Sequence, residues 1–340
     1  MSSVYSFTLC FFVAVLNPVS LALGAARSSG AAGFSLPLVP HYRTAAGVLE
    51  ELLPEGDAEG GVNITSIRPK MIPYSGPLYS VRVGVGSGAT QHFYKLALDL
   101  ARPLTPPTPC IRQLSDRGLA GSRFSYCLVG KQHEHLHRRG FLRFGADIPD
   151  QSHARSTALL HWDLAKGRGM YYVNLVGVSL GGRRLTAITP ATFKFDPHSL
   201  RGGCTLDVGT AYTLMAPPAY HVLAAEVVKH MQRHGVHHAI LPPAQKLCFH
   251  GTWDSIRVHF PSVTLHFYPE SASLFIKPEL LFVETMHQHT HYACFAIAAY
   301  AERTVIGAGQ MLDTRFTFDL QHNRLFFAPE DCHLDTSTVN

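Results

Sequence analysis

Leu206-Asp207-Val208-Gly209-Thr210 stands between Gly202-Gly203-Cys204-Thr205 and Ala211-Tyr212-Thr213-Leu214-Met215. The aspartate follows a short β-prone apolar run and precedes a glycine turn. That order places a carboxylate at a strand end, where a tight loop can aim backbone N–H groups at it, and such donors favour the ionised form. Alone, Asp-x-Gly-Thr says little, because most Asp-x-Gly triplets are ordinary turns. A second aspartate in a like setting raises its value: Asp99, within Lys95-Leu96-Ala97-Leu98-Asp99-Leu100-Ala101-Arg102.

The two segments together resemble the active-site loops of pepsin-like aspartic peptidases, and their surroundings resemble the plant nepenthesin-type branch. Tyr79-Ser80-Val81-Arg82-Val83-Gly84-Val85-Gly86 is similar to the first strand of the mature enzyme. Phe124-Ser125-Tyr126-Cys127-Leu128 resembles the FSYCL signature, and Phe141-Leu142-Arg143-Phe144-Gly145 the hairpin after it. Tyr171 to Val178 resembles the strand that opens the second lobe, and Val305-Ile306-Gly307 the segment beside the second aspartate. Phe318-Asp319-Leu320 and Arg324-Leu325-Phe326-Phe327-Ala328 resemble the closing hairpin. The resemblance implies a mostly β, bilobal pepsin-like fold, with Asp99 and Asp207 as the catalytic pair and neither cofactor nor metal. It further implies disulfides Cys127–Cys332 and Cys248–Cys294, which leaves Cys110 and Cys204 as free thiols.

Composition agrees with an exported globular protein. The chain has 340 residues, 46% of them apolar, enough for a packed core. An apolar run from Phe7 to Leu16, then small residues at Ala22-Leu23-Gly24-Ala25, reads as a secretory signal without the usual positive start. The run is too short to span a membrane. Gly33-Phe34-Ser35-Leu36-Pro37-Leu38 resembles the start of the family's propeptide. The expected division is a signal peptide at 1–25, a propeptide-like segment at 26–72, a first lobe at 73–165, a second at 166–333 and a tail at 334–340. The destination is extracellular, apoplast or vacuole. Asn63-Ile64-Thr65 is a glycosylation acceptor pattern. Beyond Cys10 the six remaining cysteines are even in number, and spacing alone leaves their connectivity open.

A net charge of +5 without a compact Lys/Arg run gives no support to nucleic-acid binding. The 21 histidines matter more, since they charge as the pH falls below about 6.5 and raise attraction to anionic surfaces.

Short runs punctuated by Gly, Pro and charged turns predict strands at Tyr79 to Val85, Phe93 to Leu98, Tyr171 to Ser179, Val263 to Phe267 and Arg315 to Asp319. One helix is predicted from Ala216 to Arg233, where Tyr220, Leu223, Val227, Val228 and Met231 recur at helical spacing before Gly235. Only 28 positions separate Asp99 from Cys127, so the first lobe is shortened and lacks the flap hairpin of its relatives. Pro103 to Pro109 reads as a rigid connector across that deletion.

Two carboxylates sharing one proton supply an acid and a base that activate water against a peptide carbonyl. The family's loops add a hydroxyl after each aspartate and a glycine N–H to each carboxylate. Gly209 and Thr210 keep the second loop's support, whereas Val208 and Leu100 replace the hydroxyls and Ala101 the first glycine. Arg102 is the damaging change: a cation within about 4–6 Å of a carboxylate lowers its pKa by roughly 1–3. Two ionised groups then replace the shared proton. The altered first loop resembles that of the cereal xylanase-inhibitor relatives, which share the fold and lack normal proteolysis. The expected function is an acid endopeptidase homologue with weak or lost activity, or a non-catalytic secreted binding or glycosidase-inhibitor protein. The expected partner is a polypeptide substrate or protein ligand in the interlobe cleft of a monomer.

His133-Glu134-His135-Leu136-His137 fits the H-E-x-x-H zinc pattern, but Gly130 precedes it closely and Arg138-Arg139-Gly140 follows, leaving little room for a motif that needs a helix. His287, His289 and His291 alternate, as on one side of a strand with a solvated face. Trp253, Phe249, Phe260 and Phe267 read as core or half-buried sheet residues. Tyr212 either lines a cleft or packs beside the loop.

Overall fold

The computed structural model describes residues 122–130, 140–150, 152–160, 171–242 and 246–334, together with the backbone of four further strands. Those four are β1 (Gly33–Arg43), β2 (Leu49–Glu50), β3 (Leu78–Val85) and β4 (His92–Ala97). Next come β5 (Arg123–Cys127), β6 (Phe141–Gly145) and β7 (Arg155–Leu160). The later part opens with β8 (Tyr172–Val173), β9 (Leu175–Leu180), β10 (Arg183–Arg184), β11 (Cys204–Asp207) and β12 (Thr213–Met215). Helix α1 (Pro217–Arg233) precedes β13 (His238–Leu241), β14 (Lys246–His250) and the short α2 (Trp253–Ile256). The chain continues through β15 (Val263–Phe267), β16 (Ser273–Ile276), β17 (Phe282–His287), β18 (Thr290–Phe295) and β19 (Ile297–Ala299). It closes with β20 (Thr304–Gly307), β21 (Thr314–Asp319) and β22 (Arg324–Pro329).

The largest sheet runs β19-β12-β20-β11-β8-β7-β22-β21-β5-β6-β1-β3-β4, with β2 on β1. Its middle joins distant parts of the chain. Strand β5 pairs antiparallel with β21, setting Phe124 opposite Phe318 and Tyr126 opposite Phe316. The first pair stacks at 4.6 Å between ring centroids, 5° from coplanar, and offset stacking adds to what burial alone gives. Strand β1, from the propeptide-like stretch, lies between β6 and β3. Cys127, at the end of β5, is disulfide-bonded to Cys332, 205 positions away. The predominance of strands in both halves matches the mostly β reading.

Two four-stranded sheets, β10-β9-β15-β16 and β13-β14-β18-β17, complete the later half. Cys248 and Cys294 face each other across β14 and β18 and are bonded; Cys204 on β11 is free and buried. Helix α1 begins on Pro217, where a missing N–H costs nothing. Leu223, Val227 and Met231, four apart, bury one stripe of it. Gly235 ends it at φ 74°, and the Val236 N–H returns to the Met231 carbonyl, the left-handed cap that glycine permits.

Three expectations change. The run from Tyr171 to Ser179 is two strands, because the Asn174 carbonyl leaves the ladder to accept from the Tyr268 N–H and β8 and β9 join different sheets. His287, His289 and His291 do not share a strand. Gln288 and His289 take positive φ, 48° and 62°, and turn the chain, leaving His287 on β17 and His291 on β18. Trp253 sits in α2, its ring edge-on to Phe260 at 5.3 Å, while Phe249, Phe260 and Phe267 are core.

Candidate functional site

Strand β11 delivers Asp207 to a loop that wraps the end of β20. The two strands are parallel, Leu206 opposite Ile306 and Asp207 opposite Gly307, and β12 returns antiparallel on the other side of β20 through Leu214 and Val305. The loop from Asp207 to Tyr212 therefore straddles β20. Leu206 and Val208 are buried on either side of the aspartate, so the backbone cannot rotate the carboxylate away.

Within the loop, both oxygens of Asp207 are held. The Gly209 N–H donates to Oδ1 at 2.8 Å and the Thr210 hydroxyl to Oδ2 at 2.6 Å. These are the short, charge-assisted contacts an ionised acceptor makes. Five further bonds tie the loop and β12 to β20 and the segment after it. Ala308 N–H donates to Thr210 O and Gly309 N–H to Ala211 O, each at 2.8 Å. Gly307 N–H donates to Thr213 Oγ1 at 3.2 Å, Thr213 N–H to Gln310 Oε1 at 2.7 Å, and Ala216 N–H to Thr304 Oγ1 at 3.1 Å. Gln310 is buried and spends its amide donor on Leu280 O at 2.6 Å.

Close approach explains the glycines. A methyl group on Gly307 would stand 2.4 Å from the Tyr212 carbonyl carbon and 2.8 Å from Thr210 O. One on Gly309 would stand 2.9 Å from the Tyr212 ring. Tyr212 thus packs beside the loop, over Gly309, and burial pushes its phenol pKa up. Tyr126 arrives from β5. Its hydroxyl donates to Met311 Sδ at 3.4 Å, and its pKa is raised, first by burial and then by the negative charge of Asp207. A side chain from the first lobe therefore lies within the electrostatic reach of the second lobe's aspartate.

Gln310, Thr213 and Tyr126 are the site residues that sequence reasoning passed over. A lone glutamine in an apolar run was the available signal for Gln310, and nothing local marks Thr213. Asp99, Leu100, Ala101, Arg102, Asn63, Cys110 and the His133-to-His137 stretch lie outside the described residues. Among the described residues no group of three His, Cys, Asp or Glu is placed to hold a metal, and no helix is long and apolar enough to cross a membrane. A cavity of about 500 Å³ over Asn174, Phe193 and Phe195 is lined by no residue of the Asp207 loop.

The chain is similar to known proteins. Residues 170–329 match the family model described as xylanase inhibitor C-terminal. Aspartyl protease family protein 2 of Arabidopsis thaliana is 32% identical over 229 residues, which covers 65% of this chain and 44% of that protein. Aspartic proteinase nepenthesin-2 of Nepenthes gracilis is 23% identical over 216 residues, covering 63% and 46%. The chain is similar to plant aspartic proteases and, over its later part, to the xylanase inhibitor C-terminal family. Solved structures show the same fold. The crystal structure of edgp gives a TM-score of 0.56 at 16% identity over 78% of this chain and 73% of that one. Basic 7S globulin from soybean gives 0.55 at 14% identity over 92% and 100%. The fold is thus the bilobal, mostly β, pepsin-like one with a shortened first lobe. The chain spans less than half the length of the aspartic protease relatives it matches.

Proposed function

We propose that this protein binds extended polypeptide in a pepsin-like cleft, with an assembled second active-site loop and weak or lost peptide-bond hydrolysis. The observation that carries the reading is the fixed carboxylate of Asp207, with the Gly209 N–H on one oxygen and the Thr210 hydroxyl on the other. In a working pair one carboxylate takes a proton from water as the other gives one to the scissile carbonyl, which needs a single proton between them. Asp207 is the natural ionised member, because both its oxygens already accept. Asp99 would be the acid, and Arg102 three residues later opposes its protonation. Leu100 and Val208 leave the pair without the flanking hydroxyls. The partner is a polypeptide or protein ligand met by a monomer, in an exported, oxidising setting that suits the two disulfides.

A non-catalytic binding or glycosidase-inhibitor role is the second reading. It is favoured by the match of residues 170–329 to the xylanase inhibitor C-terminal family. Cleavage of a denatured protein by the purified chain, run from about pH 3 to 7 with a pepstatin-type inhibitor and an Asp207→Asn variant, separates the two. Slow cleavage abolished by both supports a residual pair. No cleavage by a folded chain supports the binding role, and cleavage at the rate of an ordinary acid protease overturns the proposal.

A further inference from the structure

One end of the second lobe gathers imidazoles from α1, the turn after α2, β13 and β14. His230 lies in the last turn of α1 and His234 caps its end, with ring centroids 5.1 Å apart. The His234 ring stacks on His259, beyond α2, at 4.6 Å and 16°. His230 Nε2 hydrogen-bonds to the His259 backbone O at 2.9 Å, while the His230 ring is tilted 53° from that of His234. The chain from His234 then runs through His237 to His238 at the start of β13, and the His250 N–H donates to His237 O at 2.9 Å. His234, His237, His238 and His250 are exposed; His230 and His259 are half-buried.

The charges around this end are already matched. Glu226 pairs with Lys229 at 2.8 Å and with Arg183, and Asp254 pairs with Arg257 at 3.2 Å. On the far side of β14, Glu284 faces His291 at 3.8 Å. Arg233 donates to the Lys229 carbonyl. Glu226 and Asp254 therefore each have a permanent cationic neighbour, and Glu284 faces an imidazole of its own. Among the described residues, protonating the α1, β13 and β14 histidines adds positive charge, while these carboxylates already have partners to balance. The C-terminal end of α1 is the negative pole of the helix and favours cationic side chains there.

We propose that this histidine end is a proton-gated docking surface for a linear polyuronate, a carbohydrate chain bearing one carboxylate per sugar. The proposal is independent of whether the cleft hydrolyses peptide bonds. Uronate carboxylates stay ionised at the pH where imidazoles charge, so one step of acidification makes the two surfaces complementary. Single-point imidazolium N–H groups suit carboxylates spaced along a chain. An anionic membrane is the poorer fit, since among the described residues Val258 and Ile240 are the two large apolar side chains exposed on the elements that carry these histidines, too few for an apolar face that inserts. Burial and the neighbouring His234, Arg233 and His259 charges hold the His230 pKa low, so a bound polyanion that relieves this repulsion draws protons in with it.

The test is binding of polygalacturonate to the whole chain at about pH 5 and pH 7.5 in low salt, with a neutral galactan and phosphatidylserine vesicles alongside. A His234→Gln/His237→Gln/His250→Gln variant is measured in parallel, after its melting temperature at the higher pH has been matched to the parent. The expected result is binding about tenfold or more tighter at the lower pH, lost in the variant and absent for the galactan. Equal binding at both pH values overturns the proposal. So does full binding by the folded variant, or capture by the vesicles in place of the polygalacturonate.

Discussion

Gly307 lies directly opposite Asp207 in the parallel pairing of β11 and β20, and it has no room for a side chain. The atoms that exclude a methyl group there are backbone atoms of Thr210 and Tyr212, which belong to the loop that orients the carboxylate. At Gly309 the obstacle includes a side chain, the Tyr212 ring, which can move. Gly307→Ala is therefore expected to cost about 3 kcal/mol, and Gly309→Ala about 1–2 kcal/mol. In a Tyr212→Ala background most of the Gly309→Ala cost disappears, while that of Gly307→Ala persists. Urea unfolding of the two double-mutant cycles, which share the parent and the Tyr212→Ala chain, reads both outcomes.

Arg315 is fully buried on β21, and its guanidinium grips Glu330 through Nε to Oε2 at 2.7 Å and a second, parallel bond. Removing the carboxylate takes this bidentate ion pair away from a buried cation. Glu330→Ala is expected to destabilise by about 3 kcal/mol, the lower end of the range because Glu330 is 33% exposed. An Arg315→Met/Glu330→Met pair should recover most of that loss in the same unfolding assay.

His266 is held between two hydroxyls, Ser179 at 2.8 Å from Nε2 and Ser273 at 2.9 Å from Nδ1. Ser273 donates to the Glu270 carbonyl, so it accepts from Nδ1–H, and Nε2 is left to accept from Ser179. Burial, and then the nearby Arg184 cation, keep its pKa below the ordinary 6.5, while Glu270 pulls the other way. The unfolded chain thus binds this proton more readily than the folded one. The group's contribution is complete above about pH 6.5 and is lost as the pH falls toward the lower folded value. Proton NMR titration should show His266 titrating below an exposed histidine and moving up in Arg184→Met. An unchanged midpoint in that variant contradicts this account.

Much of the fold is legible because its segments are locally decisive. The alternating runs at Val263 to Phe267 and Arg315 to Asp319 have one apolar face each, and α1 shows its stripe and both of its ends. The break at Asn174 is not legible, since it depends on Tyr268, a residue distant in sequence. The histidines at 287, 289 and 291 mislead for a similar reason: period-two spacing looks the same whether a strand continues or a two-residue turn reverses it. At the site, the donors of Gly209 and Thr210 to Asp207 are local and can be read from residue order. Gln310 and Tyr126 reach the loop from remote strands, and only the folded chain brings them there.

Arg102 is the residue on which the central claim turns, because it separates an assembled second loop from a working pair. The most direct measurement is the rate of cleavage of a denatured protein at acidic pH by the chain and by its Arg102→Ser variant, each also carrying Asp207→Asn as a control. Removing a cation that lowers a neighbouring carboxyl pKa by roughly 1–3 should raise the rate about tenfold or more, with all of the gain lost in the Asp207→Asn control. Equal rates for the two chains, both sensitive to Asp207→Asn, would show that Arg102 leaves the pair intact and would contradict the account.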